Sequence, residues 1–321
     1  MRDCFKYAAC LTAALCAAAT RGDMPPDNRH TDAPNYLSNG KAVAARLRIL
    51  FIHHSCGGQL LADPGPEKGE HCIYSSHPNG GGLRRLLEKS GFELHEASYG
   101  SKIGAETDVF DWLPKFRSQM DEIITCTHQD DRYPDDRRNQ IVVFKSCYPN
   151  NLFVSEGSPP GDPDVPELTI WNAKAVYTEL LGEFRKRPNV LFVCLTAPPA
   201  APELRPEPLW KSAARAVLGR SRPSLKQRRE SAALARRFNS WLSGRDGWLS
   251  GYRGRNVAVF DYYDILTGYG RSDFSVYPTR GGWDSHPNGA GNVRAAKEFV
   301  PFLIGAVRRV GLGVEDQLPS P

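Results

Sequence analysis

The sequence predicts an α/β domain, a three-layer α/β/α sandwich around a mainly parallel sheet of five strands. Three observations predict it. Short apolar runs recur at 48–54 (RILFIHH), 92–98 (FELHEAS), 140–146 (QIVVFKS), 189–196 (NVLFVCLT) and 256–263 (NVAVFDYY). Their apolar content is nearly continuous, as in strands covered on both faces, whereas a half-exposed strand would alternate. Longer stretches of helical character separate the runs, and strands alternating with helices build a parallel sheet with helices on both sides.

The elements follow in chain order. Arg2 and Lys6 precede an apolar run from Tyr7 to Ala19 that ends in Ala17-Ala18-Ala19, so residues 1–19 read as an export signal peptide. The run is shorter than the roughly 20 residues that a bilayer span needs, and no later segment qualifies. Cys10 and Cys16 fit a lipoprotein cleavage site poorly, since Leu15 directly precedes Cys16 and Tyr7 lies three before Cys10. Residues 20–45 are rich in Pro, Asp, Asn and Ala without periodicity and read as a linker. The folded domain then spans 46–312, with a tail at 313–321, and the expected location is secreted or periplasmic.

Helices are expected at 82–89, 168–187, 224–242 and 290–310. In the second, Trp171, Ala175, Leu180, Leu181 and Phe184 recur at helical spacing and Pro188 stops the run. Two insertions dense in Gly and Pro, 60–80 and 150–167, interrupt the pattern. In open α/β sheets such loops follow the carboxyl ends of strands, where ligands bind, so they are expected to form the substrate cleft.

Composition narrows the function classes. Forty per cent hydrophobic residues suffices for a buried core, which argues against disorder over most of the chain. Net charge is +5, and much of the excess lies between Arg205 and Arg237, in Arg215, Arg220, Arg222, Lys226, Arg228, Arg229, Arg236 and Arg237. A solvated helix face accounts for it, although such density also suits phosphates or an anionic polysaccharide. No stacking pattern or nucleic-acid motif accompanies it, so no nucleic-acid partner is expected. Beyond the leader remain Cys56, Cys72, Cys126, Cys147 and Cys194. In an oxidising compartment an odd number leaves at least one free or paired with another chain, and Cys194, within VLFVCL, reads as a buried small hydrophobe.

Chemistry concentrates at two places. In ILFIHHSCGG, Ser55 directly follows the first strand and precedes Gly57 and Gly58, which allow a sharp turn into a helix. A serine there is either a nucleophile exposed above the sheet edge or an ordinary N-cap, and no G-x-S-x-G surrounds it. In GGWDSHPNGAGN, Asp284 and His286 lie in a loop opening the last helix. Histidine is the natural base at neutral pH, and an adjacent carboxylate fixes its tautomer and stabilises the imidazolium. His53 and His54 precede Ser55. As strand-end neighbours they point to opposite faces, so one reads as support behind the site and the other as packing.

Together these residues resemble the SGNH/GDSL hydrolases over the whole folded chain, in the family's order of blocks. The resemblance implies a flavodoxin-like sandwich and a nucleophilic serine after the first strand, matched by Ser55. It implies a glycine after the second strand, matched by Gly104 in YGSKIGAET, with Gly100 as the other possibility. An asparagine after the third is matched by Asn150 in FKSCYPNN, with Asn151 competing. Asp284 and His286 match the last block. The glycine N–H and the asparagine amide would be donors to the oxyanion. Three departures stand out. HHS replaces the usual Gly-Asp before the serine, the third block lacks Gly-x-Asn-Asp, and Asp284 lies two residues before His286 where the family spaces them by three. The last departure leaves a main-chain carbonyl or Asp273 as an alternative partner for His286.

The expected function is therefore an exported serine hydrolase cleaving short-acyl esters, including acetyl esters on carbohydrate, through an acyl-enzyme on Ser55. No cofactor or metal is called for. The expected partner is an esterified small molecule or glycan, a preference drawn from export, the absence of a long apolar lid, and Trp171, Trp210, Trp248 and Trp283. Competing readings are an acyltransferase on the same fold and a non-catalytic carbohydrate-binding relative. A metal hydrolase using His53 or His54 with Asp284 and His286 lacks the usual ligand spacing.

Overall fold

A computed structural model describes residues 46–207 and 222–312. The expected signal peptide, linker and tail fall outside the described residues, as do Trp210, Arg215 and Arg220. Strand β1 (Leu47–Ile52) leads into α1 (Ser55–Leu61), followed by short strands β2 (Asp63–Pro64), β3 (Lys68–Glu70) and β4 (Ile73–His77). Next come α2 (Leu83–Lys89), β5 (Phe92–Ala97), α3 (Val109–Thr125), β6 (Ile141–Lys145), a 3-10 turn (Tyr148–Asn151) and α4 (Ile170–Arg185). The chain continues through β7 (Leu191–Leu195), α5 (Leu225–Ser243), β8 (Val257–Phe260) and α6 (Tyr262–Leu266). Strands β9 (Pro278–Thr279) and β10 (Asp284–Pro287) form an antiparallel pair ahead of α7 (Gly289–Val310).

Five strands form the main sheet in the order β5-β1-β6-β7-β8, and every pairing is parallel. Successive side chains leave a strand on opposite faces, so each strand feeds two cores. Leu50, Ile52, Val142, Phe144 and Phe192 pack with Trp112 and Phe116 of α3, Phe184 of α4 and Phe238 of α5. Ile49, Phe51, Ile141, Val143 and Val193 pack on the other side with Leu60 of α1, Leu83 and Leu87 of α2, and Phe299 and Leu303 of α7. The sequence-expected strands thus correspond to the main sheet: β1 starts one residue earlier than expected, β5 starts where expected, and the other ends are trimmed by one to three residues. Among the described residues no helix is long and apolar enough to cross a membrane, and no disulfide joins the described cysteines.

Three elements differ from the expectation. Helix α3 was not foreseen, because Pro114 lies inside it and Gln119 leaves helical geometry (φ −122°). An Asp108/Asp111 capping box starts it. Trp112, Phe116, Met120 and Ile123 recur on one buried face, which outweighs the local cost of proline. The insertion 60–80 folds into a three-stranded sheet of order β2-β4-β3. Tyr262 and Tyr263, expected to finish a strand, begin α6 because the Asp261 carboxylate caps the N–H of Asp264. The basic stretch is partly structural: Arg236 binds Asp264 at 2.7 Å and Asp273 at 3.2 Å, so its charge is spent within the fold.

Candidate active site

Ser55 is the first residue of α1, at the carboxyl edge of β1, beside the loop that leaves β6. Gly57 and Gly58 are needed here for close packing, since both lie within the helix and neither has positive φ. A Cβ at Gly57 would strike the His53 side chain, and one at Gly58 would strike the carbonyl oxygen of Cys72. The glycines expected to permit a sharp turn therefore let α1 sit against its neighbours, which holds Ser55 in place.

His286 comes from the other end of the chain. The Asp284–Thr279 and Pro287–Pro278 pairings, with a register shift between them, fix the backbone of β10. Ser285 Oγ accepts from the Ala201 N–H at 2.9 Å, which ties the same strand to the segment after β7. The Ser55 hydroxyl donates to His286 Nε2 at 2.9 Å. On the far side of the ring, His286 Nδ1 donates to Asp284 Oδ1 at 2.6 Å, and the same oxygen accepts the His286 main-chain N–H at 3.0 Å. The register shift falls within this step, and there the carboxylate and the ring meet. Burial raises the Asp284 carboxyl, but the two bonds from His286 and the Arg280 guanidinium, 3.5 Å away, outweigh it and hold it below the usual range. Asp273, the alternative partner, is taken by Arg236.

The sequence-expected oxyanion donors are mostly engaged elsewhere. The Gly104 N–H donates to Ser101 Oγ at 2.8 Å, and its missing side chain makes room for the Ser98 backbone. Asn150 accepts from the Val109 N–H at 2.7 Å and donates to Asp108 Oδ1 at 2.8 Å and Cys147 O at 3.3 Å. It thereby fastens the start of α3 to the loop after β6. Asn151 donates to Ala197 O at 2.7 Å and Pro198 O at 3.0 Å, and accepts from Asn239 at 2.7 Å. Both asparagines are buried with their amide hydrogens committed. Gly100 differs: its φ of +85° suits glycine, and its N–H makes no hydrogen bond among the described residues.

The two histidines before Ser55 are both buried supports. His54 Nε2 faces the Gly104 carbonyl at 2.7 Å and must donate there, so Nδ1 accepts the Thr107 hydroxyl at 3.1 Å. Its ring also stacks on Tyr99, with centroids 3.7 Å apart. His53 meets Glu96 at 2.9 Å, and Glu96 is in turn paired with Arg84. Burial pulls His53 down to about 4. Neither ring reaches Asp284 or His286 through any hydrogen bond.

Sequence reasoning missed Tyr148, Cys147 and Lys145. The Tyr148 ring meets His286 edge-on at 5.4 Å. Cys147 Sγ lies 3.7 Å from Ser55 Oγ, and fully buried Lys145 lies behind it. Their signal lay in the FKSCYPNN segment itself, next to the asparagines. A cavity of about 620 Å³ adjoins the site, with Tyr148 and Ser285 in its wall together with Leu152, Leu204, Arg228 and Trp283. Of the two long insertions, the one at 150–167 contributes to this wall. Among the described tryptophans Trp283 lines it, while Trp248 is a core residue donating to Tyr177 O and Trp171 carries Lys174 over its ring.

No family model matches the sequence, and no curated protein does. Solved structures do. One is a catalytic mutant of an acetylxylan esterase from Geobacillus stearothermophilus, at 13% identity and a TM-score of 0.39 over 83% of this chain and 94% of that one. A carbohydrate esterase whose active site displays divergent catalytic and non-catalytic binding functions is similar at 14% identity and a TM-score of 0.34, over 84% of this chain and 67% of that one. A salicylyl-acyltransferase from a tetracycline biosynthetic pathway is similar at 12% identity and a TM-score of 0.37, and the chain, over 83% of its own length, spans 57% of that protein.

Proposed function

We propose that the protein is a serine hydrolase of the SGNH/GDSL type that cleaves esters through an acyl-enzyme on Ser55, with His286 as base and Asp284 as its orienting carboxylate. One observation carries this reading: the continuous chain of hydrogen bonds from the Ser55 hydroxyl through both nitrogens of His286 to Asp284. Asp284 holds the proton on Nδ1, which leaves the Nε2 lone pair facing Ser55. As Ser55 Oγ attacks the ester carbonyl, its proton passes to Nε2, and Asp284 stabilises the imidazolium. The carbonyl oxygen becomes negative and calls for donors, and we propose for it the N–H groups of Ser55 and Gly100, which make no hydrogen bond among the described residues. Collapse expels the alcohol, protonated from Nε2. Water then gives its proton to Nε2, attacks the acyl carbon and releases the acid with Ser55 restored.

For the substrate we propose a short-acyl ester, with acetyl esters on carbohydrate as the leading class. Trp283 in the cavity wall supports it, since an indole face suits a sugar ring. We also propose export, resting on the leader-like residues 1–19. The test is a panel of short-chain aryl esters and acetylated sugars, with and without added sugar acceptors, using Ser55→Ala as the blank. Acid release that vanishes in Ser55→Ala supports the hydrolase. Ester turnover seen only with an acceptor would convert the reading to acyl transfer, and no turnover on any ester would contradict it.

A further inference from the structure

We propose that His54 is a positioning residue for the reaction: its ring fastens the segment 98–104, which carries the Gly100 N–H, to the turn that carries Ser55. Its effect on turnover rests on the hydrolase reading above.

His54 holds the nucleophile through its main chain. Its carbonyl accepts the N–H groups of Gly57 at 2.8 Å and Gly58 at 3.1 Å, which opens α1 and fixes the turn on which Ser55 sits. The side chain reaches the other way. Nε2 donates to the Gly104 carbonyl at 2.7 Å, Nδ1 accepts the Thr107 hydroxyl at 3.1 Å, and the ring face lies on Tyr99 with centroids 3.7 Å apart. One imidazole therefore grips the segment at Tyr99, beside Gly100, and again at Gly104. The two bonds need a neutral ring with its proton on Nε2. Burial pulls the His54 imidazole below its ordinary value, which keeps the ring neutral.

Other side chains fasten the segment to α3 and the turn that follows it, and not to Ser55. The Gln129 amide accepts the Ser98 N–H at 2.9 Å and donates to Tyr99 O at 2.8 Å. The Asp130 carboxylate accepts the N–H groups of Lys102 at 2.8 Å and Ile103 at 3.1 Å, and buried Lys115 of α3 donates to Ile103 O at 2.5 Å. A Cβ at Gly100 would lie 3.0 Å from the His71 ring, so that ring packs against the Gly100 backbone. Gly100 is thus held firmly while its N–H makes no hydrogen bond among the described residues, as a donor prepared for an oxyanion must be. The His54 ring sets its place relative to Ser55, because ring and nucleophile belong to one turn. A donor displaced by about 1 Å loses roughly a hundredfold in rate.

The experiment compares the full-length chain with His54→Gln, whose amide nitrogen takes the place of Nε2, and His54→Asn, which is too short to reach the Gly104 carbonyl. A buried histidine also supports the fold, so urea stability does not separate positioning from packing. Two readouts do. In aryl acetate turnover, His54→Asn should lose roughly a hundredfold in kcat with KM little changed, and His54→Gln should recover to within about tenfold of the parent. The second readout is the Gly100 amide resonance of isotope-labelled protein before and after a fluorophosphonate reacts with Ser55, when the phosphoryl oxygen stands in for the oxyanion. It should move downfield in the parent and in His54→Gln, and less in His54→Asn. Thr107→Val removes one partner of the ring without touching His54, and serves if neither variant folds: kcat should fall roughly tenfold at unchanged KM. A parent-like kcat in His54→Asn or Thr107→Val, a loss confined to KM, a His54→Gln no better than His54→Asn, or a Gly100 amide that stays fixed in the parent would overturn the proposal. The amide needs no ester turnover. A chain that hydrolyses no ester yet moves Gly100 on phosphonylation, and less so in His54→Asn, contradicts the hydrolase reading and keeps the positioning role; an active chain whose Gly100 stays fixed does the reverse.

Discussion

Replacing Asp284 by Asn removes one charge and changes little else, and the structure bounds what that charge contributes. Asp284 Oδ1 accepts both the His286 ring N–H at 2.6 Å and the His286 main-chain N–H at 3.0 Å. An asparagine oxygen at the same point still meets both donors, so the amide stays oriented with its oxygen toward the ring. The productive tautomer is then kept, and the roughly 10⁴-fold penalty of a reversed tautomer does not apply. What is lost is the carboxylate's stabilisation of the imidazolium. A charge-assisted hydrogen bond contributes about 2 kcal/mol, and opposite charges some 4 Å apart near a protein surface interact by about 4 kcal/mol. The side chains are 18% and 25% exposed, which keeps the effect between those figures. Asp284→Asn should therefore lower kcat by roughly thirty- to a thousandfold with KM little changed. Aryl acetate hydrolysis under saturating substrate measures it. A kcat within threefold of the parent would mean that Asp284 does not serve His286, and a loss near 10⁴ would mean that the main-chain lock fails to hold the side chain.

Other consequences are equally direct. Asn150→Ala should cost about 1–3 kcal/mol of stability in urea, because the buried Val109 N–H loses its acceptor, while kcat stays within a few-fold; a hundredfold loss of kcat at unchanged stability would instead make its amide an oxyanion donor. Gly58→Ala should destabilise by about 1–3 kcal/mol, because its methyl group meets the Cys72 main chain, and a parent-like urea midpoint would refute that packing. Unfolded His53 takes up a proton below its ordinary value of 6.5, and the native residue does so only below about 4. In that window the unfolded state binds more protons, so stability should fall by about 3 kcal/mol as pH drops from 6.5 to 4, with a shallower fall in His53→Gln. Equal pH slopes in the two proteins would show that His53 is not the group responsible.

The strands were legible because residues buried on both faces leave continuous apolar runs, and each strand of the main sheet falls on one of those runs to within a few residues. Helix α3 was not, because Pro114 interrupts the local signal and the compensating contacts of Trp112 and Phe116 are with residues distant in sequence. Ser55, Asp284 and His286 were legible as residue types at element ends, and the hairpin that brings Asp284 to the ring was not, since its register depends on pairing with Thr279 and Pro278. The donors were the least legible. Asparagine after the third strand signals a polar group there but not its direction, and Asn150 and Asn151 turn theirs toward Asp108, Ala197 and Pro198. Cys147 left no periodic or spacing signal, and its place beside Ser55 follows only from β6 pairing next to β1.

The most direct test of the central claim is covalent. A serine-directed fluorophosphonate, reacted with the full chain and located by peptide mass mapping, reads the nucleophile without knowledge of the substrate. The account predicts a single adduct on Ser55, absent in Ser55→Ala and greatly slowed in His286→Ala, because Nε2 at 2.9 Å is the group that takes the hydroxyl proton. An adduct on another residue, or labelling of Ser55 at an undiminished rate in His286→Ala, would contradict it.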